Sequence, residues 1–217
     1  MMTSYTGDVR PGGPPAIREL ADLTITKVSV GPMDNNAYLL RCRADGTRVM
    51  IDAANEPDRL LDLIGADLAT VVTTHRHRDH WQGLRGVVNR TGAASLAHSD
   101  DAPEIPVVTR TLRDGDTVAV GTCALEVIHI VGHTPGSIVL AYRDPAGTAH
   151  LFTGDSLFPG GPGRTTNPRD FTSVMDDLEA KIFARFDDDT WFYPGHGKDS
   201  TLGRERPAVP EWRARGW

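Results

Sequence analysis

Thr74-His75-Arg76-His77-Arg78-Asp79-His80 places four metal-competent side chains, His75, His77, Asp79 and His80, in one short stretch. Just upstream, Leu68-Ala69-Thr70-Val71-Val72-Thr73 is an apolar and β-branched run of the kind that fills a buried strand. Just downstream, the apolar spacing of Trp81-Gln82-Gly83-Leu84-Arg85-Gly86-Val87-Val88 predicts the start of a helix. The cluster therefore sits in a strand-to-helix turn. Imidazole nitrogen and carboxylate oxygen are ligands that zinc, iron and manganese share. A short rigid loop supplies several of them without ordering a long segment. The plainer alternative is a solvated loop that happens to be His-rich, and the downstream chain weighs against it.

Three later segments have the same grammar of strand, ligand-type residue and Gly-bearing turn. They are Ile130-Val131-Gly132-His133-Thr134-Pro135-Gly136, Leu151-Phe152-Thr153-Gly154-Asp155-Ser156 and Phe192-Tyr193-Pro194-Gly195-His196-Gly197. Glycine beside each ligand permits a sharp turn and close backbone approach. Strand ends meeting at one sheet edge would gather His75, His77, Asp79, His80, His133, Asp155 and His196. Seven ligands exceed one tetrahedral ion. They suit two ions sharing a carboxylate and a hydroxide, at separations of roughly 3.5–4 Å in two-metal hydrolytic sites.

The rest of the chain supplies the scaffold. Residues 1–20, rich in Gly and Pro at their start, read as a flexible arm, and 21–217 as a single domain. Strands are predicted at 24–30, 37–42, 48–51, 93–97, 117–120, 124–131, 137–142, 149–153 and 191–193. Helices are predicted at 57–64, from 81 to about Arg90, and from about Asp170 to Phe186, where Phe171, Val174, Met175, Leu178, Ile182 and Phe186 make one apolar stripe. Residues 99–110 read as loop. The second half repeats the plan of the first. That order suits two mixed sheets packed face to face with helices outside, an α/β (α+β) class.

Composition narrows the partners. The net charge is −6 with basic residues dispersed, which weighs against nucleic acid, whose binding needs a positive stripe. No apolar run approaches the roughly 20 residues that span a bilayer, and the N-terminus lacks a signal-peptide pattern. A cytoplasmic protein without membrane contact, monomer or homodimer, is the expectation. Cys42 and Cys123 form no framework and read as buried, reduced thiols.

The stretch His75-Arg76-His77-Arg78-Asp79-His80, with His133, Asp155 and His196 after it in that order, resembles the metallo-β-lactamase fold from about Leu23 to Gly203. Within it, Gly132-His133-Thr134-Pro135-Gly136-Ser137, Gly154-Asp155-Ser156-Leu157-Phe158 and Pro194-Gly195-His196-Gly197 look most like the glyoxalase II (hydroxyacylglutathione hydrolase) group, above all its shorter bacterial members. The resemblance implies an αββα sandwich. It also implies a division of ligands: His75, His77 and His133 for one ion, Asp79, His80 and His196 for the other, Asp155 bridging. Two divalent ions are expected, zinc preferred, with iron or manganese as alternatives. A commonest-type zinc β-lactamase would carry cysteine where Asp155 stands. The match continues through Gly163-Arg164-Thr165 but then lacks the Asp-Phe usual in short members, and the glutathione-binding C-terminal domain is absent. Both departures leave the thiol open.

The expected activity is hydrolysis of a small acyl-thiol by a metal-bridging hydroxide, with Asp79 or Asp155 shuttling a proton. The rivals are a mononuclear-iron persulfide dioxygenase using His75, His133 and Asp155, and a lactonase. A non-catalytic metal-binding protein would have lost ligands, and all seven stand. Arg164 is a candidate contact for a substrate carboxylate, with Asn36 and Tyr38 as further candidates along the early loop. Asp52, closing a strand, is a candidate to hold a ligand imidazole through its second nitrogen. His98, His129 and His150 fall outside every motif and read as surface or core. Trp212 and Trp217 read as pins for the tail.

Overall fold

Seven strands lie side by side in chain order to make a first sheet: β1 (Ala16–Glu19), β2 (Leu23–Val30), β3 (Asn35–Cys42), β4 (Arg48–Ile51), β5 (Thr70–Val72), β6 (Ala94–His98) and β7 (Arg110–Leu112). The structure, a computed structural model, describes residues 5–216. β1 to β4 pair antiparallel, and β4 to β7 pair parallel. The parallel half needs crossovers, and α1 (Pro57–Ile64) and α2 (Leu84–Thr91) supply them.

A second sheet holds β8 (Thr117–Val120), β9 (Cys123–His129), β10 (Ile138–Arg143) and β11 (Ala149–Gly154), each antiparallel to the next. A small ribbon, β12 (Leu157–Phe158) with β13 (Gly161–Pro162), comes next. The sheet resumes with β14 (Trp191–Pro194), parallel to β11, and β15 (Ser200–Thr201). Because β9 and β11 both oppose β10, and β14 runs with β11, the C-terminal ends of β9, β11 and β14 leave the sheet on one side. His133, Asp155 and His196 stand just beyond those three ends.

Three separate apolar clusters define four layers. Leu23, Ile25, Leu40, Val127, Leu140 and Phe152, among others, fill the space between the sheets. Met50, Leu60, Ile64, Val71, Leu84 and Val87 pack α1 and α2 on the first sheet. Val139, Leu151, Val174, Met175, Leu178 and Trp212 pack α3 (Pro168–Asp177) and the C-terminal segment on the second. The architecture is the expected αββα sandwich, its central strands buried on both faces and therefore apolar nearly throughout, while the edge strands β1, β7 and β8 leave one face to solvent.

Three expectations change. Ala16–Glu19, within the predicted flexible arm, pairs with β2 from Ala16↔Lys27 to Glu19↔Thr24. Residues 1–4 lie outside the described residues. Residues 99–110, read as loop, run into the edge strand β7, which covers β6. The helix predicted as continuous to Phe186 passes at Leu178–Phe183 into a wider π turn. The turn keeps Leu178, Ile182 and Phe183 on the buried face. The tail forms α4 (Leu202–Glu205) and α5 (Val209–Arg215). Trp212 is buried as a pin; Trp217 lies outside the described residues. Cys42 and Cys123 are buried free thiols, as read from the sequence.

Candidate metal centre

The ligand loop starts where β5 ends, and two carboxylates brace it. Asp52, just beyond β4, accepts from Thr74 N (2.7 Å) and Thr74 Oγ1 (2.8 Å) and meets His80 Nδ1 at 2.8 Å. It does so from a left-handed backbone (φ 55°), which a non-glycine residue adopts only when its surroundings require it. Asp52 thus meets the His80 imidazole at Nδ1 and leaves Nε2 facing the centre. Asp101, which carries no motif in the sequence, is wholly buried and accepts from Arg76 N (2.9 Å), Gly136 N (2.8 Å) and Thr134 Oγ1 (2.5 Å). It staples the loop of His75 to the loop of His133.

All seven ligand-type residues come together. Ligand atoms of His75, His77 and His133 lie within 4.8 Å of one another, as do those of Asp79, His80 and His196, and those of His75, His80 and Asp155. The hydrogen bonds at the outer nitrogens set the tautomers. His133 Nδ1 donates to Arg164 O (2.7 Å), His196 Nδ1 to Met33 O (2.9 Å) and His80 Nδ1 to Asp52. With Nδ1 held on the outside, each Nε2 is turned inward. His80 Nε2 faces His196 Nε2 at 3.3 Å, and His133 Nε2 faces His75 Nε2 at 3.3 Å. Ring nitrogens converging in this way need a proton or a cation between them. Asp155 sits between the two groups, 3.3 Å from His80 Nε2 and 3.6 Å from both His133 Nε2 and His196 Nε2. Its buried Oδ1 makes no hydrogen bond. That donor set fits divalent cations.

The electrostatics agree. Burial drives the His75 imidazole well below its usual pKa, and the neighbouring His80, His133 and His77 push it further. Burial also lowers His80, but the Asp155 and Asp52 carboxylates outweigh it and hold His80 well above the ordinary range. The hydrogen bond with His196 leads in keeping the Asp79 carboxyl far below the usual range, and Asn35 Nδ2, donating at 2.8 Å, adds to it.

Two glycines allow this density. A Cβ on Gly195 would stand 2.2 Å from Asp155 Oδ1 and 2.5 Å from His80 Cε1. One on Gly163 would stand 1.7 Å from the Asp155 carbonyl oxygen and 3.2 Å from His133 Nδ1.

Other predicted residues have different roles. Asn36 and Tyr38 brace the strand end that carries His196. Both are buried, and each donates to Pro194 O (2.9 and 2.6 Å). Arg164 is exposed beside the centre, its carbonyl holding His133. His98 and His129 stack at 3.9 Å, with Asp100 nearby. Stacked rings run their in-plane lone pairs parallel, and His98 Nδ1 already accepts from Asp100 N (3.3 Å), so this group braces a turn. Lys27, at 0 % exposure, has a role that the sequence did not announce. It donates to Gly197 O (2.8 Å), Gly7 O (3.0 Å) and Asp199 Oδ1 (2.6 Å), tying the loop after His196 to the N-terminal segment. An isolated lysine in an alternating strand carries no signal of such a role.

An αββα sandwich with seven ligand-type His and Asp residues gathered at its strand ends is the setting of a divalent-metal protein. The chain belongs to the metallo-β-lactamase superfamily, whose family model matches residues 30–196. A hydroxyacylglutathione hydrolase of Polaromonas sp. is 35% identical over 165 residues, covering 75% of this chain and 62% of the relative. The chain thus spans from about half to three-fifths of the length of the first curated relatives it matches. Among solved structures, ETHE1 from Myxococcus xanthus superposes with a TM-score of 0.77 at 26% identity, covering 88% of this chain and 84% of that one. A protein crystallised in a di-iron-bound form gives a TM-score of 0.69 at 29% identity, covering 83% and 96%. Among the described residues no helix is long and apolar enough to cross a membrane.

Proposed function

We propose that the chain is a metal-dependent hydrolase that cleaves a small acyl-thiol, releasing acid and thiol. His75, His77 and His133 would hold one divalent ion, Asp79, His80 and His196 a second, with Asp155 between. The observation that carries this reading is the second trio. Each of its members has its own supporting bond, from Asn35, Asp52 and Met33 O, an arrangement with no purpose if a single ion sat on the other three. The hydroxyacylglutathione hydrolases among its relatives point to a thioester as the bond cleaved.

When bound, such ions polarise an acyl carbonyl and lower the pKa of water from about 15.7 toward neutrality. The chain's own residues do the rest. Asp79 or Asp155 would take the proton released as water attacks the carbonyl carbon and return it to the departing sulfur. Asp79 Oδ2 is already engaged by Asn35 and His196, whereas the buried Oδ1 of Asp155 has no hydrogen bond, which favours Asp155. A thiolate leaves readily, so no strong acid is needed, and neither buried cysteine takes part. Asp52 and Asp101 keep the ligand loop from shifting as charge develops.

A second reading, a mononuclear-iron persulfide dioxygenase on His75, His133 and Asp155, draws on the closeness of those three: His133 Nε2 is 3.3 Å from His75 Nε2 and 3.6 Å from Asp155 Oδ2. Metal quantification with a thiol-release screen over several low-molecular-weight thioesters separates the two. About two metals per chain with thiol release supports the hydrolase. One iron with oxygen uptake overturns it, and acid release from lactones without thiol release points to a lactonase.

A further inference from the structure

Beside the His133 half of the centre lies a cleft of about 420 Å³ lined by Gly163, Arg164, Phe171 and Arg215. Its two guanidiniums come from distant parts of the chain. Arg164 stands on the loop whose carbonyl holds His133 Nδ1. Arg215 ends α5, and its Nη2 lies against Gly161, 3.1 Å from where a Cβ would stand. α5 does not rely on Arg215 for its position. Trp212 is buried against Phe183 (ring centroids 6.1 Å apart), and Arg213 bonds Glu179 at 2.6 Å and Asp176 at 2.8 Å. Neither Arg164 nor Arg215 has an acidic partner among the described residues. The opposite, His196 side has a different character. There Met33, 59% exposed, and the half-buried Phe158, its ring 6.4 Å from that of His196, form an apolar rim.

We propose that Arg164 and Arg215 form a two-guanidinium clamp for an anionic group, a carboxylate or phosphate, carried by the substrate, and that the clamp fixes which way the substrate lies across the centre. This rests on the acyl-thiol reading above. Guanidinium forks match carboxylate and phosphate oxygens with paired donors, and Phe171 gives the intervening chain an apolar wall. The anion lies over His133, and the uncharged end of the substrate lies along Met33 and Phe158. The anion can belong to the thiol half or to the acyl half, and the test separates the two.

The experiment uses the metal-loaded protein and its Arg215→Ala, Arg215→Lys and Arg164→Ala variants. Three thioesters of similar size are compared: one with a carboxylate on the thiol half, one with it on the acyl half, and one neutral. Binding of a non-hydrolysable carboxylate-bearing thioether is measured by calorimetry alongside. The clamp predicts that one anionic thioester loses about 10–100-fold in KM, relative to the neutral one, on Arg215→Ala, with kcat little changed. Arg215→Lys restores part of the loss, and added salt erodes the wild-type preference. The arm that responds names the half carrying the anion. Unchanged KM ratios in both arginine variants, with thioether binding also unchanged, overturn the clamp while leaving the hydrolase standing. Arginine-dependent thioether binding without turnover of any thioester keeps the clamp and overturns the hydrolase instead.

Discussion

Lys27 and Asp199 form an ion pair of 2.6 Å in which both side chains are wholly buried. Burial pulls the lysine down from its ordinary pKa and pushes the carboxyl up, so each charge depends on the other. Tyr5 Oη donates to the second carboxylate oxygen at 2.7 Å, and Lys27 also holds Gly7 O and Gly197 O. The N-terminal segment is thus locked onto the loop that carries His196. Removing one partner strands a buried charge. Lys27→Met is expected to cost about 3–5 kcal/mol in denaturant unfolding. Lys27→Met with Asp199→Leu should recover much of that. A single variant as stable as wild type would show that the pair is not needed.

Asp52 touches no substrate, yet its removal should be felt at the centre. Asp52→Ala frees the His80 ring and the Thr74 backbone together. Metal affinity, read by competition with a chromophoric chelator, is expected to fall about 10–100-fold. Undiminished affinity would mean that packing alone orients His80.

Gly195→Ala tests the crowding directly. The added methyl has no space between Asp155 and His80, so one of them must shift by about an ångström. Turnover is expected to drop by about 100-fold or more with near-normal circular dichroism. Metal analysis on the same sample should show less than full loading.

His150 provides a pH signature away from the centre. It is 1% exposed, its Nδ1 bonds Tyr193 Oη at 2.9 Å, and its Nε2 is buried without a partner. Burial, with Arg18 adding, lowers its pKa from 6.5 to about 4. The unfolded chain therefore binds a proton between pH 6.5 and 4 that the folded chain refuses. Stability from this residue is intact above pH 6.5 and is lost as pH falls toward 4, by up to about 3 kcal/mol. His150→Phe should flatten that part of the Tm–pH curve. A mutant curve parallel to wild type down to pH 4 would remove His150 from the account.

Residue type and order alone determined where the candidate ligands stand. His75, His77, Asp79, His80, His133, Asp155 and His196 each sit at a strand end beside a turn, a local pattern any reader of the chain can find. The stripe Val174, Met175, Leu178 and Ile182 likewise declared a buried helical face, because periodicity records which side of an element is apolar. Tertiary structure alone decided what each face meets. Asn36 and Tyr38 alternate correctly in a strand, but only the approach of Pro194 turns them into supports for His196. Arg215 reads as one more charge in a tail until α5 docks and carries it to the cleft of Arg164. Lys27 and Asp199 are 172 positions apart. Local pattern fixes the direction of a side chain, whereas its partner is set by long-range packing and by the need to satisfy buried charge. That need left no trace in spacing, and it is what aims the histidine nitrogens at one another.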